Sequence, residues 1–540
     1  MGQALDIERT RGALIRLQRE LFRENADRIA RAETAPHPLF QQYQRAYSEA
    51  TRTYREVDTF EGLLRHARRA DLIYVADYHT SPQAQKSFLK LMRRLSIQPA
   101  DGLVVALEIV QGKYQRVLDQ YLAGRLDADT LRGRIGFDRM WPYDVWANYL
   151  PILECARERG HPVLALDSNR AECDSLHGRD SYAGWRIAEQ LHKTPNAKVM
   201  VLMGELHLAP PHLPDVVRSN VAKLGQTRRH VSIYQNCEEI YWQLSREGLA
   251  DTEVVRVGDD AWCIVNTPPT VRQQSYLNWI EFDERTLEYG RLTEHFVRLA
   301  EAIVRFLELE PCDALEDVVV YGPGETDFLG LFERQGRYPP KVMEALRRHA
   351  AADRSFQLPR EGIVYLGRLS TNYAAEEAIG WVHAALTEAP VSPLNAPYAG
   401  LMSFAIGFFG SKILNHKRKT EHRAAFMRRL RRSQAGSRQS EGHEMAVARC
   451  VVGHLAQWPN PTALDSAHAH GFESAEVEDA TRALGKMLGE QMYYALIEGR
   501  VTRAEVRALL KTSLGDHDVA RDVYGRWLTR VAGVRIPERI

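Results

Sequence analysis

Between about residues 58 and 270 the chain alternates short apolar runs with longer stretches whose apolar residues recur every three or four positions. The runs are LIYVADYH, LVVALEIV, PVLALDS, KVMVLMG and HVSIYQN, followed by VVRV and AWCIVN. Runs without polar alternation predict strands buried on both faces. With helical patterns between them they predict an α/β fold, a largely parallel sheet flanked by helices. The helices are expected at Ser81 to Leu95, Tyr114 to Ala123, Pro142 to Arg159 and Tyr182 to Leu191. The last two runs, joined through Gly258-Asp259-Asp260, predict an antiparallel hairpin at the sheet edge, and Thr267-Pro268-Pro269 closes the domain.

On either side the pattern changes. Leu5, Leu14, Leu17, Leu21 and Ile29 recur at helical spacing among many charges, so residues 4–32 predict one long amphipathic helix, interrupted by Pro36 and Pro38. From about 285 onward the chain is mainly helical by pattern, with strand-like runs at Asp317 to Tyr321 and Gly362 to Leu366. The expected organisation is an N-terminal helical extension (1–57), an α/β domain (58–284) and a mainly helical C-terminal domain (285–540). No repeat of fixed period is visible, which disfavours a solenoid. Ser433 to Gly442 is polar enough for a linker.

Tyr398 to Leu414 carries a single charge, Lys412, but is shorter than the roughly 20 apolar residues of a spanning helix. Its glycines at 400, 407 and 410 predict a buried helical hairpin. The sharper alternative is peripheral membrane contact through 398–432. The basic run that follows, His416-Lys417-Arg418-Lys419 and then Arg428, Arg429, Arg431 and Arg432, predicts a solvated helix face.

Composition narrows the class. A chain of 540 residues with 44% hydrophobic content can bury two or more cores. Lys plus Arg (71) nearly cancel Asp plus Glu (70), so no nucleic-acid partner is expected. The six cysteines form no C-x-x-C pair, and the charged N-terminus lacks the apolar core of a signal peptide, so the expected location is cytoplasmic.

The chemistry concentrates at strand ends. Asp77-Tyr78-His79 follows LIYVA and Glu205-Leu206-His207 follows VMVLMG. On an extended backbone, residues two apart point the same way, so each triplet is expected to deliver a carboxylate and an imidazole to one place. Glu108 and Asp167 end two further runs, and parallel strands put such ends on the edge where α/β folds hold ligands. An acid at a strand exit often only caps the next helix; Asp167, in Asp-Ser-Asn-Arg, fits that role best. Repetition of acid-x-His favours function. Arg170 is a candidate for orienting an anionic substrate, and His212, beside two prolines, could reach the same region.

Three chemistries fit these groups. Asp77, His79, Glu108, Glu205 and His207 are suitable ligands for Zn, Mn or Fe. Without metal, crowding could make Glu108 or Glu205 a general base and His79 or His207 an acid, as in a hydrolase. His or Tyr could ligate haem iron. There is no G-x-S-x-G elbow, phosphate loop or H-E-x-x-H helix.

The same residues resemble the ChaN-like haem-binding family of the Tiki, TraB and erythromycin-esterase superfamily, which is marked by two G-x-x-H motifs with an acid between. Gly204-Glu205-Leu206-His207 matches the second motif, Ala76-Asp77-Tyr78-His79 the first with its glycine replaced, and Glu108 the intervening acid. QRVLDQYLAGRLDADTL, WPYDVWANYLPILECA and the Asn266-Thr267-Pro268-Pro269 exit are also similar, so the resemblance spans about 60–270. It implies a domain whose better-known members are bacterial, bind haem and take part in iron uptake, while other branches are hydrolases. The expected function is binding of haem or an iron-containing small-molecule ligand, with His79, His207, Tyr78 and Tyr114 as candidate haem ligands. The alternative is a hydrolase, metal-dependent or not, that uses Glu108, Glu205, His207 and His79. A third class is a structural or regulatory module that has lost its chemistry.

Overall fold

The computed structural model describes residues 2–33, 37–95, 102–141, 145–168, 175–281, 289–387, 397–433, 442–457 and 473–539, with positions 464, 467 and 471. Two compact units form: residues 25–279 with 539–540, and residues 1–24 with 280–538.

Helix α1 (Gly2–Ala32) is the long amphipathic helix the sequence predicts, and Leu14, Leu17 and Leu21 are buried in the core of the helical unit. Helix α2 (Pro38–Ala50) starts at a proline, whose missing N–H is no loss in a first turn. It buries Tyr43 and Tyr47, one turn apart on one face. The α/β unit continues through β1 (Glu56–Asp58), α3 (Phe60–Arg69), β2 (Leu72–Asp77), α4 (Pro82–Leu95), β3 (Leu103–Gln111), α5 (Gln115–Leu122), α6 (Ala128–Arg134) and α7 (Phe137–Met140). After these come α8 (Trp146–Arg159), β4 (Val163–Asp167), α9 (Leu176–Lys193), β5 (Lys198–Gly204), α10 (Leu213–Lys223), β6 (His230–Gln235), α11 (Glu238–Arg246), β7 (Val254–Arg256), β8 (Ala261–Ile264) and α12 (Pro269–Glu281).

The eight strands lie in the order β1-β7-β8-β6-β2-β5-β3-β4, parallel from β8 to β4. The four strands that carry or lead into the candidate acids, β2, β5, β3 and β4, are therefore consecutive neighbours. β2 and β4 end on Asp77 and Asp167, Glu205 follows β5, and β3 does not end at Glu108 as expected but continues to Gln111. Ile73, Val75, Leu103, Val105, Leu107, Met200 and Leu202 form one core with residues of α3, α4 and α8. The intervening residues, such as Tyr74, Val104 and Val201, are equally buried, and α9 packs on β4 and β5. Burial on both faces is why these strands read as continuous apolar runs. The antiparallel β7–β8 pair is present, but it is not the edge. The edge on that side is β1, Glu-Val-Asp, which pairs with β7 and is too short and polar to leave an apolar run.

The helical unit contains α13 (Tyr289–Leu307), β9 (Val319–Tyr321), α14 (Asp327–Arg334), α15 (Pro340–Ala351), β10 (Phe356–Leu358), β11 (Ile363–Tyr365) and α16 (Thr371–Thr387). Beyond these lie α17 (Pro397–Leu414), α18 (Arg423–Ser433), α19 (Gly442–Ala456), α20 (Ser474–Ile497), α21 (Arg503–Leu510) and α22 (His517–Val531). A small sheet, β10-β11-β9, includes both expected strands and adds β10.

The apolar stretch around Lys412 is one unbroken buried helix, α17, instead of a hairpin. Its glycines serve close packing, Gly407 against Glu376 and Gly410 against Ile379 of α16. Lys412 is fully buried, pairs with Glu490 at 3.1 Å and donates to the Arg418 carbonyl at 2.7 Å. The basic run is only partly solvated: His416 and Lys417 are buried and Arg418 pairs with Glu376 at 2.7 Å, whereas Arg428 and Arg431 are exposed. Among the described residues, no helix is long and apolar enough to cross a membrane. The expected linker at 433–442 lies almost wholly outside the described residues.

Candidate functional site

At the C-terminal end of β2, Asp77 and His79 meet as the sequence predicts: His79 Nδ1 lies 2.9 Å from Asp77 Oδ2. The same carboxylate accepts from the Tyr149 hydroxyl and, through Oδ1, from Gln85 Nε2 at 2.5 Å. Trp141 packs edge-on against the His79 ring at 4.8 Å. With Nδ1 anchored, Nε2 is left facing Glu108, whose Oε2 is 3.8 Å away.

Glu108, on β3 and separated from β2 by β5, is buried. It accepts the Gly204 backbone N–H at 2.6 Å and a guanidinium hydrogen bond from Arg179. Arg179 also donates through Nε to Asp167 Oδ1 at 3.2 Å, so Asp167 joins this network and is more than a cap. Burial pushes the Glu108 carboxyl up, but Arg179, His79, His207 and the Gly204 N–H outweigh it and hold the group at about 2. Burial likewise pushes the His79 imidazole down, and Asp77 and Glu108 reverse this, so its pKa is raised.

Gly204 has an ordinary backbone conformation, φ −46° and ψ 132°. Its role is close approach. A Cβ there would stand 3.3 Å from Glu108 Oε2 and 3.5 Å from both His79 Nε2 and His207 Cδ2. The missing side chain thus marks where both motif histidines and the intervening acid converge.

The second triplet departs from expectation. Residues Glu205–Leu208 form a 3₁₀ turn, so successive side chains are about 120° apart and residues two apart diverge. Glu205 turns to Arg272 (2.6 Å) and the Tyr47 hydroxyl (3.1 Å), while His207 Nδ1 meets Asp180 Oδ1 at 2.6 Å. Burial raises the Glu205 pKa despite Arg272. The partner acid of His207 is therefore Asp180 of α9, and the expected five-residue metal set does not form one cluster: among the described residues the group placed to hold a metal is His177, Asp180 and His212.

The remaining candidates are unequal. Tyr78 lies under the Arg272 guanidinium, 4.2 Å from the ring centre, and burial pushes its hydroxyl up to about 12. Tyr114 is half-buried against the core with Lys113 5.0 Å from its ring centre. Arg170 lies outside the described residues. His212, in contrast, is buried and stacked on Tyr43, ring centres 3.5 Å apart.

Arg179, Asp180, Arg272, Tyr43, Tyr47 and Tyr149 were not singled out from the sequence. One signal was available for the first two: Ser175 accepts from the Gly178 N–H, a helix-start pattern that puts His177, Arg179 and Asp180 in the opening turns of α9. Arg272 follows the Pro-Pro exit, which opens α12 as well as closing the sheet.

Histidines and carboxylates thus gather near the C-terminal ends of neighbouring parallel strands, the edge at which α/β folds commonly hold ligands. In agreement, residues 63–177 match the family model described as haem-binding uptake, Tiki superfamily, ChaN. This stretch holds the first triplet, Glu108 and Asp167. A solved structure described as cofacial heme binding to ChaN of Campylobacter jejuni is similar with a TM-score of 0.27 and 16% sequence identity, over 34% of this chain and 89% of that one. No curated protein matches the chain.

Proposed function

We propose that the α/β unit binds haem or a related iron-containing small-molecule ligand at the ends of β2, β3 and β5. The family match over 63–177 supports the ligand class. The carrying observation is the pair of anchored imidazoles: His79 by Asp77 and His207 by Asp180, both through Nδ1, on either side of the space Gly204 leaves free. A carboxylate that fixes Nδ1 orients the ring and strengthens Nε2 as a metal ligand. His79 and His207 would hold the iron, which when bound would supply Lewis-acid and redox chemistry. Trp141 would wall the site. Tyr78 and Tyr114 have less support as ligands, the first covered by Arg272 and the second packed into the core.

Hydrolysis by the same residues has less support. A general base needs a pKa near the working pH, and Glu108 is held at about 2 and locked to Arg179. Glu205 is engaged by Arg272 and Tyr47.

Titration of the purified protein with haem, followed at the Soret band, tests the proposal. A saturable shift is expected, weakened at least about tenfold by His79→Ala and to a lesser degree by Asp77→Asn, which removes the anchor but leaves the ligand. Binding should also fall on acidification from a higher pH than for an ordinary imidazole, because the His79 pKa is raised and a proton competes with iron for Nε2. An unchanged titration in a His79→Ala/His207→Ala double variant sinks it.

A further inference from the structure

Beside the His79 site stands a second group of donors. His177 and Asp180 lie three residues apart in the opening turns of α9, on one face of the helix, and His212 immediately precedes α10. Each offers one ligand atom, and these atoms all lie within 4.8 Å of one another. Zn–N and Zn–O bonds of about 2.0–2.1 Å set tetrahedral ligand atoms roughly 3.4 Å apart, so small side-chain rotations would complete the arrangement.

His212 gives the trio its meaning. Its ring is buried, yet neither Nδ1 nor Nε2 has a hydrogen-bond partner among the described residues. Buried imidazoles normally satisfy at least one nitrogen, and a lone pair left unused is what a metal ligand requires. The ring is fixed by face-to-face stacking on Tyr43, 4° from parallel. Tyr43 in turn donates to Asp180 Oδ2 at 2.5 Å, and its hydroxyl lies 2.9 Å from His177 Nδ1, so one tyrosine orients all three donors. Asp180 accepts one hydrogen bond on each oxygen, from His207 and from Tyr43, and a carboxylate has about four acceptor sites, so capacity remains for a cation. His177 is exposed and provides a path of entry.

We infer that His177, Asp180 and His212 form a site for a divalent transition metal, Zn(II) by ligand type, separate from the ligand-binding histidine His79. Two imidazole nitrogens and one carboxylate oxygen, with no thiolate, suit Zn(II) and leave a fourth position for water. Asp180 also anchors His207, so the metal would stiffen one wall of the neighbouring site.

The full chain, stripped with a chelator and titrated with Co(II) as a spectroscopic stand-in, tests this. Expected is a single saturating phase of visible absorption characteristic of a low-coordinate Co(II) site, displaced by Zn(II). It should weaken at least about tenfold in His177→Ala and in His212→Ala but be retained in His79→Ala. His177 is exposed, so its variant tests ligation without opening the core, and circular dichroism verifies the fold. Haem binding is expected to survive in His177→Ala, which keeps this test distinct from the haem proposal. No absorption, absorption retained in the His177→Ala/His212→Ala double variant, or absorption lost in His79→Ala but kept in His212→Ala would overturn the assignment.

Discussion

Two residues, Glu108 and Arg179, decide the electrostatics of the site. Glu108 is almost wholly buried, and its partner Arg179 has a side chain only 25% exposed, so the pair is not a surface salt bridge. Removing one partner of a buried pair strands the other, at a cost of about 3–5 kcal/mol. Arg179→Met is expected to lower stability by that order, read as a shift in the urea midpoint; a loss below about 1 kcal/mol would mean that water already screens the pair. The pH dependence has a definite sign. The Glu108 pKa is depressed from 4.5 to about 2 on folding, so its contribution is fully present above 4.5 and is lost as pH falls through about 2. By linkage this amounts to roughly 3 kcal/mol. The acid limb of a stability profile should flatten in Arg179→Met. Glu108 was visible in the sequence because it is the one charged residue inside the apolar run LVVALEIV. Arg179 was not, because the helix-start signal at Ser175 places it in the opening of α9 without telling which strand end that opening covers.

At the scale of elements, the two acid-x-His triplets look alike in sequence and fold differently. Asp77 ends a strand and its histidine folds back onto it, whereas Gly204 ends β5 and the chain enters a 3₁₀ turn that sends Glu205 and His207 apart. Strand alternation predicts direction only while the backbone stays extended. The packing of α17 against α20 shows a second element-level rule. A Cβ on Gly485 would come 2.4 Å from the Leu401 carbonyl oxygen and 2.6 Å from Phe404 Cβ, so the helices touch through backbone. Alanine is the better helix former by about 1 kcal/mol, but overpacking costs typically about 1–3 kcal/mol, and here the obstacle is main chain that cannot swing away. Gly485→Ala is therefore expected to destabilise. Gly525 in α22 has no atom near its would-be Cβ, and Gly525→Ala should stabilise by about 0.5–1 kcal/mol. Thermal melts of the two variants should move in opposite directions. Shifts of the same sign would refute the packing account.

For the molecule as a whole, each unit has a large core of its own, one around β2, β3 and β5 and the other around α16, α17 and α20. Separate cores predict unfolding that is not two-state, and calorimetry should resolve more than one component. Haem at about 100 times its dissociation constant should stabilise the α/β component by roughly 2.7 kcal/mol and leave the other in place. A single two-state transition would argue against independent cores. The α/β class, the parallel strands and the strand exits at Asp77 and Asp167 follow from the sequence alone, because doubly buried strands must be apolar along their length and a polar residue marks where such a strand leaves the sheet. Glu205 lies just past the end of β5, and β3 runs on beyond Glu108 to Gln111. The single long helix at the start of the chain also follows from the sequence. Which groups meet is set by the three-dimensional arrangement. Strand order made β2, β5, β3 and β4 neighbours, and helix placement brought Asp180 to His207, Arg179 to Glu108 and Arg272 to Glu205. Such pairs join residues up to 71 positions apart along the chain, and local periodicity carries no information about which distant helix will cover a strand end.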